Sequence, residues 1–186
     1  MTLSSKNVIR KEIRSTLKRQ SPEGRARKSG IIAEKLFSSD DFQKARFVMF
    51  YVAMGEEVET RRMIEKALQE GKKVAVPYIE NETGLMTAAL INNTDKDLEK
   101  GPYGIYQPRQ DALRKVPLEN IDLVIVPGVA FDEKNHRIGK GKGYYDNFLG
   151  KLSPDTVTIG ICFAFQIVKQ VPVESHDVPV TKVISD

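Results

Sequence analysis

A run of ten residues, 137–146, combines the residue types that bind anions. It alternates glycine with lysine behind an arginine: Arg137, Gly139, Lys140, Gly141, Lys142 and Gly143. Glycine permits backbone conformations in which successive N–H groups point into one concavity, and the basic side chains add charge that could meet a triphosphate. The run lacks the Ser or Thr of a Walker P-loop, and Tyr144 stands where the dinucleotide fingerprint needs glycine. The alternative is a flexible basic turn, but a position between Asp132 and Asp146, after the strongest predicted strand, favours phosphate binding.

Two acidic segments could contribute to the same site. Residues 54–60 carry three carboxylates that could hold a polar heterocycle or a cation, although acidic residues are equally typical of the first turn of a helix. Residues 171–180 are held extended by two prolines and present Asp177. Asp177 could join Asp146 in binding Mg²⁺, which favours carboxylates together with phosphate oxygens, but a single Asp in a loop is also typical of a turn.

Basic residues recur at every fourth position of the first predicted helix: Lys6, Arg10, Arg14 and Lys18. Residues four apart lie on the same face of a helix. Such a stripe is typical of a solvated surface, but it would also allow Lys6 and Arg10 to reach one phosphate group together. The two histidines, His136 and His176, lack the partners that a catalytic zinc site requires.

Hydrophobic spacing predicts an alternation of helices and buried strands. Helices are predicted at residues 6–19, 22–37 and 60–70, with Ser21 as the N-cap of the second. Strands are predicted at residues 46–52, 73–77, 86–90, 121–127 and 157–162, with Pro77 closing the second. The alternation indicates an α/β fold with a mostly parallel sheet, in which ligands bind beyond the carboxyl ends of the strands. Functional residues are therefore expected after Val52, Val126 and Cys162.

The composition bounds the class of protein. The chain has 186 residues, of which 40% are hydrophobic and 29% charged, as expected for one soluble domain with its own core. A formal net charge of +4 suits an anionic small molecule and is too small to argue for nucleic acid. Cys162 is the only cysteine, which excludes an internal disulfide and favours a reducing cytoplasm. We find no apolar stretch of the roughly 20 residues that a membrane span needs, and no signal peptide.

Two motifs stand at a specific spacing: Pro127-Gly128-x-x-Phe131-Asp132 and Gly139-x-Gly141-x-Gly143-Tyr144-Tyr145-Asp146. Together with shorter segments over nearly the whole chain, they resemble the 5-formyltetrahydrofolate cyclo-ligase family. The resemblance implies a single three-layer α/β/α domain over residues 1–186 with a Rossmann-like, mostly parallel central sheet. It also implies ATP- and Mg²⁺-dependent closure of 5-formyltetrahydrofolate to 5,10-methenyltetrahydrofolate, with release of ADP and phosphate. In that family the formyl oxygen takes the γ-phosphoryl group and N10 then attacks the activated carbon.

The resemblance also implies roles for individual residues. ATP would contact Lys6, Arg10, Tyr103, Arg137, Ile138, Gly139, Lys140, Gly141, Lys142, Gly143, Tyr144 and Tyr145. The folate would contact Val52, Glu57, Lys140, Gly141, Lys142, Gly143 and Tyr144, with Glu57 meeting the pterin ring. Arg137, Lys140 and Lys142 would be catalytic, and Asp146 and Asp177 would hold Mg²⁺.

Two other functions compete with the cyclo-ligase. One is a different α/β enzyme of phosphoryl transfer or sugar phosphates that uses the same glycine- and lysine-rich loop. The other is a nucleic-acid-binding module built on the basic first helix, which lacks the aromatic residues that such surfaces interleave with basic ones. We therefore expect a cytoplasmic monomer whose partners are ATP and a folate, with neither nucleic acid nor membrane among them.

Overall fold

The computed structural model describes residues 5–80, 82–100 and 106–186. The helices are α1 (Lys6–Lys18), α2 (Pro22–Phe37), α3 (Asp40–Lys44), α4 (Arg61–Gln69) and α5 (Tyr144–Leu149). The strands of the central sheet are β1 (Phe47–Met49), β2 (Lys73–Ile79), β3 (Met86–Ile91), β6 (Lys115–Val116), β7 (Leu123–Val126), β10 (Val157–Cys162) and β11 (Lys182–Ser185). The strands outside it are β4 (Leu98–Lys100), β5 (Tyr106–Pro108), β8 (Ala130–Phe131) and β9 (Arg137–Ile138).

Seven strands form the central sheet in the order β11-β10-β7-β1-β2-β3-β6. The five strands from β11 to β2 are parallel, and β3 and β6 add antiparallel pairs at one edge. The mostly parallel sheet predicted from the sequence is therefore confirmed. The order reverses between β1 and β7, and ligands of such sheets bind where the order reverses, beyond the carboxyl ends of the strands.

Helices and connecting segments cover both faces of the sheet, since successive side chains of a strand point to opposite faces. Val48 packs on one face with buried residues of α2, α3 and α4, including Ile32, Phe42 and Ile64. Met49 packs on the other face with Phe148 of α5. This arrangement confirms the predicted three-layer α/β/α fold.

Local sequence signals explain where the longest helices begin. Ser5 and Ser21 cap α1 and α2, because each hydroxyl accepts a hydrogen bond from a backbone N–H three residues on. Thr60 precedes α4 without capping it, because its hydroxyl donates to the carbonyl of Tyr51 and accepts from the N–H of Ala53. Thr60 therefore ties the segment after β1 to the start of α4.

Pro77 does not close β2, contrary to the sequence-based prediction. The strand continues to Ile79, and Pro77 pairs with Ala88 of β3. The pairing with β1 ends at Ala75, so the proline lies beyond the part of β2 that needs hydrogen-bond donors on that side. β1 is correspondingly shorter than predicted, Phe47–Met49, because the chain leaves the sheet after Phe50 donates to the carbonyl of Ala75.

Within the part of the chain that the structure describes, every helix is too short or too polar to span a bilayer.

Candidate active site at the carboxyl edge of the sheet

The glycine- and lysine-rich loop, residues 137–145, lies beside the N-terminal helix α1. The Arg10 Nε donates to the carbonyl of Gly139 at 2.9 Å, and the Arg14 Nη2 donates to the carbonyl of Lys140 at 3.2 Å. Arg10 and Arg14 are separated from the loop by more than 120 residues in the chain. The basic stripe of α1 therefore faces this loop along part of its length, and is not merely a solvated surface.

Asp132, which the sequence placed before the loop, is a buried anchor for it. Its Oδ1 accepts hydrogen bonds from the backbone N–H groups of Lys134 and His136, both at 3.0 Å, and its Oδ2 accepts from the N–H of Val171 at 2.9 Å. Burial would raise the pKa of Asp132, but these N–H groups and the His136 ring outweigh it, so the pKa lies below its ordinary value. One carboxylate thus joins the loop to the segment that carries Asp177.

Arg137 is buried against the loop. Its side chain is only 2% exposed, and its Nη2 donates to the Asp146 Oδ1 at 2.8 Å. A side chain at Gly139 would collide with this guanidinium, since a Cβ there would lie 2.7 Å from the Arg137 Nη1. The Arg137 Nε is buried with no partner among the described residues.

The backbone of the loop takes conformations that favour glycine. Gly141 and Gly143 have φ angles of 108° and 69°, and Gly143 directly precedes α5. The helix α5 therefore begins at Tyr144, directly after the last glycine of the loop. Tyr144 is 36% exposed. Tyr145 packs against both groups of buried residues, the one that contains Val48 and the one that contains Met49. Burial raises the pKa of Tyr145, which keeps the phenol neutral.

Glu57 joins the loop to a neighbouring cleft. Its Oε1 lies 2.6 Å from the Lys140 Nζ, and its Oε2 accepts a hydrogen bond from the N–H of Met54 at 2.9 Å. Val52 is partly buried and packs against the core. Lys140 therefore belongs both to the glycine- and lysine-rich loop and to the wall of the cleft.

The cleft has a volume of about 280 Å³. Its lining includes the buried Tyr51 and Val58, the acidic Glu56 and Glu57, and the basic Lys140. Buried apolar walls with a few convergent polar groups are typical of a small-molecule site.

Three basic or polar residues of the cleft escaped the sequence-based site: Arg14, Lys18 and Gln166. Gln166 donates to the carbonyls of Gly128 and Val129 and accepts from the N–H of Phe163, so it joins the strand ends after β7 and β10. The four-residue spacing from Arg10 could have identified Arg14 and Lys18, whereas no sequence signal identifies Gln166. Tyr103, which was predicted to lie near the adenine, is outside the described residues.

The two carboxylates predicted to hold Mg²⁺ lie at neighbouring positions. The N–H of Val178, the residue after Asp177, donates to the Asp146 Oδ1 at 3.4 Å. The same Asp146 oxygen accepts from Arg137, and the Asp177 Oδ2 accepts from the Lys6 Nζ at 2.6 Å. Each carboxylate is thus already held in place by a basic side chain.

Each of the two carboxylates has a second oxygen that does not contact its basic partner and could bind a cation. The Asp146 Oδ2 accepts no hydrogen bond from a described residue, and the Asp177 Oδ1 lies 3.8 Å from the His176 ring. No group of three or more His, Cys, Asp or Glu within residues 5–80, 82–100 and 106–186 is arranged to hold a metal ion by itself. Two carboxylates fit Mg²⁺, which usually takes one or two from the protein and completes its shell with waters and phosphate oxygens.

Fold and site together define an α/β protein with a basic, glycine-rich loop beside a cleft that both acidic and basic side chains line, at the carboxyl ends of parallel strands. A sequence model described as "5-formyltetrahydrofolate cyclo-ligase family" matches residues 2–186. The chain belongs to the 5-formyltetrahydrofolate cyclo-ligase family and is a ligase.

Individual relatives agree with the family match over almost their whole length. The chain is 32% identical to the probable 5-formyltetrahydrofolate cyclo-ligase of Caenorhabditis elegans, over 96% of this chain and 91% of the relative. It is 29% identical to the 5-formyltetrahydrofolate cyclo-ligase of Mus musculus, over 97% of this chain and 93% of the relative. The NMR structure of Aquifex aeolicus 5,10-methenyltetrahydrofolate synthetase superposes with a TM-score of 0.84 at 29% identity, over 96% of this chain and 88% of that one.

Proposed function

We propose that this protein converts 5-formyltetrahydrofolate into 5,10-methenyltetrahydrofolate with ATP and Mg²⁺, releasing ADP and phosphate. The observation that carries the proposal is the contact between the Lys140 Nζ and the Glu57 Oε1 at 2.6 Å. It joins a loop suited to phosphates with a cleft suited to a small heterocycle. Such a junction is what phosphoryl transfer from ATP to a second substrate requires.

The reaction solves a leaving-group problem. The formyl oxygen attacks the γ-phosphorus, a P–O bond forms, and the bond to the bridging oxygen of ADP breaks. N10 then attacks the formyl carbon, loses its proton, and phosphate leaves with the former formyl oxygen. An amide oxygen is a poor leaving group, and its phosphorylation makes N10 attack productive.

Phosphoryl transfer depends mainly on positioning and on compensating negative charge. In this proposal Lys140 and Lys142 contact the transferred group, while Lys6, Arg10 and the backbone of residues 137–145 bind the ATP phosphates. Arg137, the third residue expected to be catalytic, is buried beside the loop, and in this proposal it acts by positioning Asp146 through their ion pair. Tyr145 contributes to ATP binding through its backbone, because its side chain packs in the core.

The folate ring binds at Glu57 in the cleft. Its amino group and ring N–H are donors, and a carboxylate can accept two hydrogen bonds side by side. The Met54 N–H orients the carboxylate by binding one oxygen, while the other faces Lys140. Val52, which packs behind this segment, contributes shape to the ring site.

Mg²⁺ would be held by Asp146 and Asp177 and would neutralise charge on the phosphates. Lys6 and Arg137 keep these two carboxylates in position through the contacts described above. We further propose that residues 1–186 form one catalytic domain that acts as a monomer in the cytoplasm. A reducing compartment suits a chain whose single cysteine is buried and unpaired.

The test is the absorbance of the methenyl product when purified protein is mixed with 5-formyltetrahydrofolate, ATP and Mg²⁺. Product should form only in the complete mixture, one ADP should appear per product, and EDTA should stop the reaction. ATP hydrolysis that does not respond to 5-formyltetrahydrofolate would instead support a different phosphoryl-transfer enzyme.

A further inference from the structure

The basic stripe of α1 divides into two parts with different surroundings. Lys6 is ion-paired with Asp177, and Arg10 donates to the loop at Gly139. The Arg14 side chain makes one hydrogen bond, to the carbonyl of Lys140, and the Lys18 side chain makes no hydrogen bond or ion pair with another described residue. The second half of the stripe therefore has charge that the contacts within the protein do not compensate.

Arg14 and Lys18 belong to the side of the cleft that α1 forms. Both line the cleft that contains Glu57. Both are also exposed on a polar and basic surface of α1 that includes Asn7, Arg10, Lys11 and Ser15. A ligand that extends from the cleft over α1 would meet these two cations.

The cleft has a volume of about 280 Å³, close to the lower end of the range of about 300–1,000 Å³ that is usual for sites of drug-sized ligands. A folate consists of a pterin ring, a benzoyl group and a glutamate with two carboxylates. With the ring at Glu57, the rest of the molecule would extend toward the part of the cleft that α1 lines.

The charges of the cleft fix the direction of the ligand. Glu56 and Glu57 would repel the carboxylates of the glutamate and attract the N–H donors of the ring. Arg14 and Lys18 would attract the carboxylates, and an arginine can bind one of them through two parallel hydrogen bonds. Lys140 also lines the cleft but is paired with Glu57, whereas Arg14 and Lys18 make no ion pair with a described residue. The ring donors thus have acceptors at Glu56 and Glu57, and the tail carboxylates have cations at Arg14 and Lys18.

We propose that Arg14 and Lys18 bind the glutamate carboxylates of the folate and so select substrates that carry this acidic tail. The inference rests on the proposed function, because it takes the folate ring to lie at Glu57. ATP is the other anion that could bind this surface of α1, and the Arg10 contact with Gly139 places the phosphate end of the stripe one helical turn away.

The experiment compares 5-formyltetrahydrofolate with the same molecule lacking its glutamate, 5-formyltetrahydropteroate, at saturating ATP. In the double variant Arg14→Gln, Lys18→Gln, kcat/KM for the intact substrate should fall about threefold to tenfold, as loss of two exposed ion pairs implies. The fall should be under about twofold with the truncated substrate, the usual spread for uncoupled changes. Glutamine keeps helix propensity and removes the positive charge of both side chains, together with the guanidinium of Arg14 that bonds to the loop.

Two further measurements separate a tail contact from a structural effect. The single variant Lys18→Gln leaves the Arg14 bond to the loop in place and should still reduce kcat/KM for the intact substrate alone. Lys44→Gln removes an exposed lysine from α3, which precedes β1 and so lies at the amino ends of the parallel strands, away from the cleft. This control should leave kcat/KM unchanged for both substrates.

Each outcome has a distinct meaning. Equal losses for both substrates, or a raised KM for ATP alone, would overturn the assignment of Arg14 and Lys18 to the tail. If the wild type turns over 5-formyltetrahydrofolate and the variants have the same kcat/KM as the wild type, the assignment to the tail is overturned and the proposed function stands. Wild-type protein with no turnover would overturn the proposed function and, with it, this inference.

Discussion

The ion pair between Glu57 and Lys140 is only partly shielded from water, since the Glu57 side chain is 18% exposed and that of Lys140 is 52% exposed. Exposed pairs of this kind contribute about 0.2–1 kcal/mol. A ligand that offers stronger partners to either side chain can therefore replace the contact at small cost. The pair suits two side chains that each meet a substrate.

Glu57→Gln should weaken the binding of 5-formyltetrahydrofolate at least about tenfold. The substitution replaces one of the two carboxylate oxygens with an NH2 donor, which leaves a donor of the folate ring unpaired. ATP affinity should change little, since Gln can still accept the Met54 hydrogen bond that shapes this segment. Calorimetric titration of each ligand checks both statements. If the variant binds the folate as tightly as the wild type, Glu57 does not contact the ring, and its role is to accept the hydrogen bond from the Met54 N–H.

Lys140→Ala and Lys142→Ala should each lower turnover by about 10²–10³, the usual cost of removing one donor to the charge that develops in a transition state. Steady-state kinetics at saturating ATP and folate measures this. Lys44→Ala is the matched control, because that lysine is exposed on α3 and lies away from the carboxyl edge of the sheet. Near-normal turnover in both loop variants would remove them from the catalytic machinery.

Secondary structure with strong local signals could be predicted from the sequence. The bounds of β10 agree with the prediction at both ends, and α2 begins at Pro22 after its Ser21 cap. The strands β4, β5, β6, β8, β9 and β11 were missed, since segments of two to four residues carry little periodicity and depend on tertiary pairing. The five-residue helix α3 was missed as well. Pro77 was misinterpreted because its tolerance depends on where the pairing with β1 ends.

The site residues followed a similar division. The glycine- and lysine-rich loop and Glu57 could be identified from residue types, motif and position after a strand. The roles of Asp132 and Gln166 as links between segments could not, because the partners in the linked segment lie 37 to 39 residues away in the chain. Such links depend on the completed fold.

Asp132 joins the segments that follow β7 and β10, so its effect is on these elements rather than on chemistry. Its lowered pKa means that the ionised form is favoured by the fold. The resulting stabilisation is fully present above the unfolded pKa of about 3.9 and is lost as the pH falls through the lower, folded pKa. Acid should therefore weaken these contacts below about pH 4.

Asp132→Asn should lower the free energy of unfolding at pH 7 by about 1–3 kcal/mol, because the amide cannot satisfy all the donors that now face the carboxylate. The dependence of stability on pH below about pH 4 should also become shallower. Urea unfolding at pH 7 and pH 3.5 measures both. Glu133→Gln changes the exposed neighbour as a control, and an equal effect there would contradict the assignment to Asp132.

The site spans nearly the whole chain. Lys6 contacts Asp177 across 171 positions in the sequence, and the loop and cleft between them come from the ends of separate strands. Ligands that contact these elements together bind only the folded molecule. Binding must therefore stabilise the fold as a whole, by an amount set by ligand concentration and affinity.

Cys162, the only cysteine, can report this coupling. Its side chain is fully buried at the end of β10, and burial, with a smaller effect from the charge of Asp186, raises the pKa of the thiol to about 12. The folded protein should thus react with a thiol reagent only through opening, whereas guanidinium should release one reactive thiol per chain. ATP and 5-formyltetrahydrofolate, each at about 100 times its Kd, should slow labelling by about 100-fold or more when opening is fast relative to labelling. Rapid labelling that ligands do not slow would show that β10 opens locally, without loss of the site.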